Sequence, residues 1–179
     1  MSSHVSDVSK GPNSRIPSDL ESLSKLTVQY GGWIPGPSGI RPTPEMMEKK
    51  KKLVHQIQTG WSSVRDYLLH LVFEREIATN YIGQKYVVNL DAPHDLLSFK
   101  FIPNDFPYQF TDPAAQHWVL WYFPTYRDPR LTDELINEHI QQALHEICGH
   151  GRAVWAWYEN PKMSVPDLYH VQVFWKYYE

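Results

Sequence analysis

Apolar residues recur at helical spacing in two consecutive runs after residue 42. The first predicted helix covers 44–60, with Thr43 suited to the N-cap and a proline in the first turn. The second begins at Ser62 or Ser63 and reaches at least Phe73. Its buried side is predicted to hold Val64, Tyr67, Leu68, Leu71 and Val72.

A third helix has the most regular apolar face in the chain. Thr132 is its candidate N-cap, and Gly149 or Gly151 is the candidate stop. The residues expected on the buried face are Leu131, Leu135, Ile136, Ile140, Ala143, Leu144 and Ile147.

Short apolar runs bounded by turn residues predict strands in the rest of the chain. The loop 103–108 holds two prolines and several aromatic residues, so it is expected to be ordered but irregular. The predicted strands are 85–90, 96–102, 117–122, 153–158 and 169–175. Together these elements predict one α+β domain, with an antiparallel sheet of about four or five strands packed against helices.

Composition divides the chain near residue 44. The first 44 residues hold 6 of the 14 prolines and 5 of the 9 glycines, and many serines. We therefore expect a flexible arm over 1–44 and a single domain over 45–179, a length suited to one sizeable core. Trp33 is expected to anchor the arm, either as a strap or as a lid.

Charge and cysteine content limit the classes of partner. A net charge of −3 argues against a nucleic-acid partner, and the lysines of 49–52 are interpreted as a solvated helix face. No apolar stretch approaches the length of a membrane span, and a single cysteine fits a reducing compartment. We expect a cytoplasmic protein without a membrane partner. No metal site is predicted, because His139 and His145 point about 120° apart on their helix.

Two predicted strands each carry a single histidine among bulky apolar residues. On the first, His117 shares a face with Trp121; on the last, His170 shares a face with Gln172. A polar group buried without a partner costs about 1–3 kcal/mol, so these side chains need hydrogen-bond partners or a ligand. His170 and His117 are therefore the candidate acid–base residues, although each also has an interpretation as a structural side chain.

Several motifs resemble those of the fungal N-acetylglucosamine-induced protein family. The resemblance covers about 45–177, and it implies kinship rather than an activity. The motifs are Gly60–Leu68, Asn104–Tyr108, His117–Trp121, Asn160-Pro161, Ser164–Pro166 and His170-Val171. That family's ending carries two histidines spaced by one residue, and this chain has Gln172 at the second position.

The order of elements is also distantly similar to the histidine-triad nucleotide-binding superfamily. In that resemblance Ser164 falls at the superfamily's glycine-serine turn, as a ligand-binding residue, and Gln172 falls at the position of the nucleophilic histidine. An amide cannot act as that nucleophile, so phosphoryl transfer by the usual route is not expected. The insertion Pro166–Leu168 and the missing turn glycine weaken the expected phosphate contacts.

Three functions follow from these observations. The preferred one is binding of a small organic molecule, with cofactor-free isomerase, cyclase or lyase chemistry. The first alternative is a degenerate histidine-triad-like protein that binds or hydrolyses a nucleotide or sugar phosphate. The second is a noncatalytic interaction surface, such as that of a homodimer. No cofactor is expected. In the preferred function the pocket walls are Tyr108, Trp121, Trp155 and Trp157, and the polar contacts come from Asn160 and Gln172 beside the two histidines. Trp155 and Trp157 share a face, and taken alone they fit a core better than a pocket wall.

Overall fold

Four antiparallel strands form the centre of the fold. A computed structural model describes residues 43–89, 97–108, 113–123, 129–149, 152–159 and 165–178. The strands are β3 (Ser98–Pro103), β4 (Gln116–Phe123), β5 (Arg152–Tyr158) and β6 (His170–Tyr178), in the spatial order β3-β4-β6-β5. The two most buried strands, β4 and β6, lie side by side in the middle.

Two helices precede the sheet in the chain. Helix α1 (Pro44–Gly60) begins at Thr43, whose hydroxyl accepts the Met46 N–H at 3.1 Å. Helix α2 (Val64–Phe73) begins at Ser63 and ends at Glu74, which adopts a left-handed conformation with φ 55°. These bounds confirm both predicted helices.

A two-stranded antiparallel hairpin, β1 (Ile77–Thr79) and β2 (Lys85–Val87), follows α2. Asp66 ties the helix to the hairpin, since one carboxylate oxygen accepts the Val87 N–H at 2.9 Å and the other accepts the Ser63 hydroxyl at 2.5 Å. The Gly60–Leu68 motif thus has a structural role: it caps α2 and attaches β2.

Replacing Asp66 by Ala is expected to lower the free energy of unfolding by about 1–3 kcal/mol, because a partly buried N–H and hydroxyl lose their acceptor. Urea denaturation measures the change. The matched control is Glu48→Ala, which removes an exposed carboxylate paired with Lys51 at 2.6 Å and should cost less than about 0.5 kcal/mol. Equal losses in the two variants would contradict the role given to Asp66.

Both faces of the central sheet are covered. Helix α3 (Asp133–Cys148), capped by the Thr132 hydroxyl, packs on one face through Ile136, Ile140 and Leu144. Helix α2 covers part of the other face, where Leu69 and Val72 join a core with Val119, Trp121 and Phe123.

The predicted elements differ from the observed ones in a few places. Strand β1 was not predicted, and β2 ends at Val87 rather than at residue 90. On α2, the placement of Leu71 inside was wrong: it is 49% exposed, and Leu69 is fully buried. From Tyr67 to Phe73 every residue but His70 is apolar, so periodicity does not identify the inner face of this part of the helix. Ile147 of α3, in the last turn, is likewise exposed.

The α+β class and the single compact domain are as predicted. The predicted arm, including Trp33, lies outside the described residues apart from Thr43 and Pro44. Within the part of the chain that the structure describes, no helix is both long and apolar enough to cross a membrane.

Candidate functional site

Three polar side chains are buried on one face of the central strands. His117 and His170 are each 4% exposed, and Gln172 is 8% exposed. Because paired residues of antiparallel neighbours share a face, the register places these side chains together. The pairs are Trp121 with His170, Val119 with Gln172, and His117 with Phe174.

The protonation of His117 follows from its neighbours. The backbone N–H of Tyr108 points at His117 Nδ1, 3.2 Å away, so this nitrogen is the acceptor. In the neutral ring the proton is then on Nε2, which donates to Gln172 Oε1 at 2.7 Å. Both ring nitrogens of His117 are therefore engaged.

Asn104 completes this network from the loop after β3. Its Oδ1 accepts the Phe106 N–H at 2.8 Å, which orients its Nδ2 toward Gln172 Oε1 at 3.2 Å. Gln172 Oε1 thus accepts two hydrogen bonds. The opposite orientation of the Gln172 amide would place its NH2 group against two other donors, so the network determines which way this side chain points.

Burial dominates the electrostatics of His117. It lowers the pKa of His117 to about 4, and the hydrogen bond with Gln172 offsets only part of this effect. The ring also packs against aromatic neighbours, with centroids 4.7 Å from Tyr108 and 4.5 Å from Phe174. At neutral pH His117 is an uncharged, fully hydrogen-bonded side chain that holds Gln172 in place.

His170 is buried in a different way. Its Nδ1–H donates to the backbone carbonyl of Leu168 at 2.8 Å, and its ring lies 4.4 Å from that of Trp121. Burial lowers the pKa of His170, while the bond to the Leu168 carbonyl raises it in part. The ring is therefore neutral near pH 7, with its lone pair on Nε2.

Two atoms on this face keep unused hydrogen-bonding capacity. Among the described residues, neither His170 Nε2 nor Gln172 Nε2 has a hydrogen-bond partner. The first is an acceptor and the second carries two N–H donors. The two residues are separated by one position on β6, about 6.6–6.8 Å between Cα atoms. We call His170, Gln172, His117 and Asn104 the polar cluster.

The predicted aromatic walls are divided between the two faces. Trp121 lies beside His170, and Tyr108 packs on His117 and Phe174. Trp155 and Trp157 lie on the opposite face beneath α3, where both indole N–H groups donate to Asn137 Oδ1 at 3.1 Å. The structure does not bring these two tryptophans to the polar cluster.

Other predicted site residues cannot be placed. Asn160 and Ser164 lie outside the described residues. Asn104, by contrast, belongs to the cluster but was not among the predicted site residues. The available signal was its position directly after a strand, at the start of a proline-containing loop that runs back toward β4.

On the sheet face covered by α3, a further histidine contacts aromatic side chains. His139 of α3 stacks on Phe99 with centroids 4.3 Å apart, and its Nδ1 lies 3.2 Å from the Tyr122 hydroxyl. Burial lowers the pKa of His139 and raises that of Tyr122. Across the described ranges, no group of three or more His, Cys, Asp or Glu side chains is arranged to hold a metal ion.

Comparison with known proteins identifies a family. No curated protein matches the chain. A solved structure described as "Crystal Structure of HTC1" is similar to it at 15% sequence identity, over 78% of this chain and 77% of the other, with a TM-score of 0.42. A family described as "Protein of unknown function (DUF3605)" matches residues 39–176. This match spans well over half of the 179 residues, so the chain belongs to the DUF3605 family.

Proposed function

We propose that the chain binds a small organic molecule at the polar cluster. The observation that supports this proposal is the unused hydrogen-bonding capacity of His170 Nε2 and Gln172 Nε2 on a buried face. In the described residues the fully buried side-chain atoms without a partner are Arg75 Nε and Trp175 Nε1, so the two cluster atoms reach solvent, and a bound molecule would replace the water that meets them.

Each member of the cluster has a distinct role in this proposal. Gln172 donates to the ligand through Nε2, because its Oε1 is already occupied by two donors. His117 and Asn104 are positioning residues, since they orient the Gln172 amide. His170 accepts from the ligand through Nε2, in the orientation set by the Leu168 carbonyl.

The same geometry supports acid–base chemistry without a cofactor. With its pKa lowered by burial, His170 is unprotonated near pH 7 and available to take a proton from a bound molecule. The imidazolium so formed then returns the proton to another atom of that molecule. Isomerase, cyclase and lyase reactions need this kind of transfer. His170 is our candidate catalytic residue, and Trp121 supports its ring.

A nucleotide or sugar-phosphate ligand is the second candidate. His117, His170 and Gln172 share one face of adjacent strands, which is the arrangement implied by the histidine-triad resemblance. With Gln172 at the nucleophile's position, this site would bind phosphate esters rather than transfer the phosphoryl group.

We also propose that the chain belongs to the fungal N-acetylglucosamine-induced branch, because the matched range 39–176 contains every motif of that resemblance.

A thermal-shift screen tests the proposed function. Neutral metabolites, nucleotides and sugar phosphates are compared on the parent protein and on His170→Ala and Gln172→Leu variants. We expect at least one compound to raise the melting temperature of the parent by a few degrees, and both variants to lose most of that shift.

Gln142→Leu is the matched control for this screen. It makes the same change on the exposed side of α3, where the Gln142 amide donates to Glu146 Oε1 at 3.3 Å. A shift that survives in both cluster variants would place the binding site elsewhere. Nucleotide hits lost in the variants would favour the second candidate over the first.

A further inference from the structure

We infer that the ligand of the polar cluster is a neutral molecule carrying a carbonyl acceptor close to an N–H or O–H donor, the pair presented by carboxamides and lactams. This inference rests on the proposed function, since it describes what the same site would bind. It follows from counting the donors and acceptors that the folded chain leaves available.

The acceptor on the ligand is required by Gln172. Its amide cannot rotate to offer the oxygen, because Oε1 is held by the His117 Nε2–H at 2.7 Å and by Asn104 Nδ2 at 3.2 Å. Two backbone N–H groups fix this orientation, because a backbone N–H can only donate. The Tyr108 N–H donates to His117 Nδ1, and the Phe106 N–H donates to Asn104 Oδ1. Gln172 therefore offers donors only, and a ligand must bring an acceptor such as a carbonyl oxygen.

The donor on the ligand is required by His170. Its Nδ1–H is committed to the Leu168 carbonyl at 2.8 Å, so the neutral ring offers a lone pair at Nε2. A ligand group facing this atom must be an N–H or O–H. Since His170 and Gln172 are separated by one residue on β6, a single small molecule is able to meet both.

The ligand's lack of charge follows from the surroundings. Burial and hydrogen bonds, not neighbouring charges, account for the shifted titration of both histidines. Burying a charged ligand without a counter-ion is costly. Of the charged side chains on the surrounding elements, Asp66 binds Ser63 and the Val87 N–H, Lys50 lies over the Phe106 ring, and Asp105 and Lys100 are exposed. Arg75 lies over the Phe123 ring and keeps its buried Nε without a hydrogen-bond partner, so it is the cation that an anionic ligand would use if the neutral class is wrong.

Benzamide and benzoate form a matched pair of probes for this inference. They share size and planarity, but only benzamide is neutral and carries both a carbonyl and an N–H donor. Binding to the full chain is followed by NMR, through the side-chain amide of Gln172 and the imidazole of His170. At pH 7.5 we expect benzamide to bind at least about tenfold more tightly than benzoate, and Gln172→Leu and His170→Phe each to weaken it about five- to tenfold.

The pH dependence separates the two ligand classes. Benzamide needs the unprotonated His170, so its affinity should fall only as the pH drops below about 6.5, the ordinary imidazole value, toward the lowered pKa of His170. An anion would favour the protonated ring, and its affinity would rise over the same range. Gln142→Leu, on the opposite side of the fold, should bind benzamide like the parent.

The outcomes distinguish this inference from the proposed function. Tighter binding of benzoate, strengthened at low pH and lost in the two cluster variants, would overturn the neutral class but keep the site. If neither probe perturbs Gln172 or His170 while the backbone spectrum stays native, and the metabolite screen is also negative, both the ligand class and the site fall.

Discussion

Replacing Trp157 by Ala is expected to lower the free energy of unfolding by about 3–5 kcal/mol, the largest effect among the variants considered. Trp157 is only 2% exposed and belongs to the core between α3 and the sheet. Its indole N–H also donates to Asn137 Oδ1 at 3.1 Å. The truncation removes an aromatic ring from a packed core and a hydrogen bond between helix and sheet at once.

Urea denaturation with tryptophan fluorescence and circular dichroism measures this loss. Trp157→Phe is expected to cost clearly less, because Phe keeps most of the ring and Asn137 still accepts from Trp155. Tyr81→Ala is the control for deleting a large aromatic side chain, since Tyr81 is 99% exposed, and it should change stability by less than about 0.5 kcal/mol. A cost below about 1 kcal/mol for Trp157→Ala would contradict the described core.

Acidification from pH 7.5 to 4.5 is expected to destabilise the folded protein by about 2–3 kcal/mol through His117 alone. The pKa of His117 falls from an ordinary value of about 6.5 in the unfolded chain to about 4 in the folded one. The unfolded chain therefore takes up a proton below about pH 6.5, whereas the folded chain resists until about pH 4. The stabilisation is complete above pH 6.5 and is lost as the pH falls toward 4.

His117→Gln isolates this contribution. Glutamine still offers a donor toward Gln172 and an acceptor toward the Tyr108 N–H, but it does not titrate. Between pH 7.5 and 4.5, the free energy of unfolding of the variant should fall by about 2–3 kcal/mol less than that of the parent. Since burial also lowers the pKa of His170, His170→Gln should reduce the slope in the same direction. Parallel pH profiles for the parent and His117→Gln would show that burial does not keep His117 neutral.

The two faces of the central sheet differ in composition. One face, with Trp157 and the residues beneath α3, is a conventional apolar core. The other combines an apolar part under α2 with the polar cluster. Substitutions in the first face should therefore act on stability alone, and those at Gln172 or His170 on ligand binding as well.

Local pattern was enough to predict most of the elements. Thr43 and Thr132 cap their helices as predicted, and Ser63, one of the two predicted starts of α2, is its N-cap, because N-cap chemistry depends on a few consecutive residues. Alternation along one strand also predicted that His170 and Gln172 share a face, and the structure shows both to be buried. The inner face of α2 was not predicted correctly, because from Tyr67 to Phe73 only His70 is polar and the spacing of apolar residues does not mark one side of the helix.

The composition of the site was only partly predictable. His117, His170, Gln172, Tyr108 and Trp121 were predicted as site residues, and the structure brings these five together. Trp155 and Trp157 were predicted as walls on the strength of their residue type, but strand register places them under α3. Asn104 enters because β3 pairs with β4 in a register that sets Pro103 opposite Trp118 and brings the following loop to His117.

The sequence by itself determined the elements, their caps and which residues share a face within each strand, since these depend on neighbours a few positions apart. Only the tertiary structure decided which strands are adjacent, which face each helix covers and where each hydrogen-bond donor points. The protonation of His117, the orientation of Gln172 and the free lone pair of His170 all depend on atoms brought together from distant parts of the chain, such as Asn104 and Gln172. Long-range register places those atoms, and no local pattern encodes it.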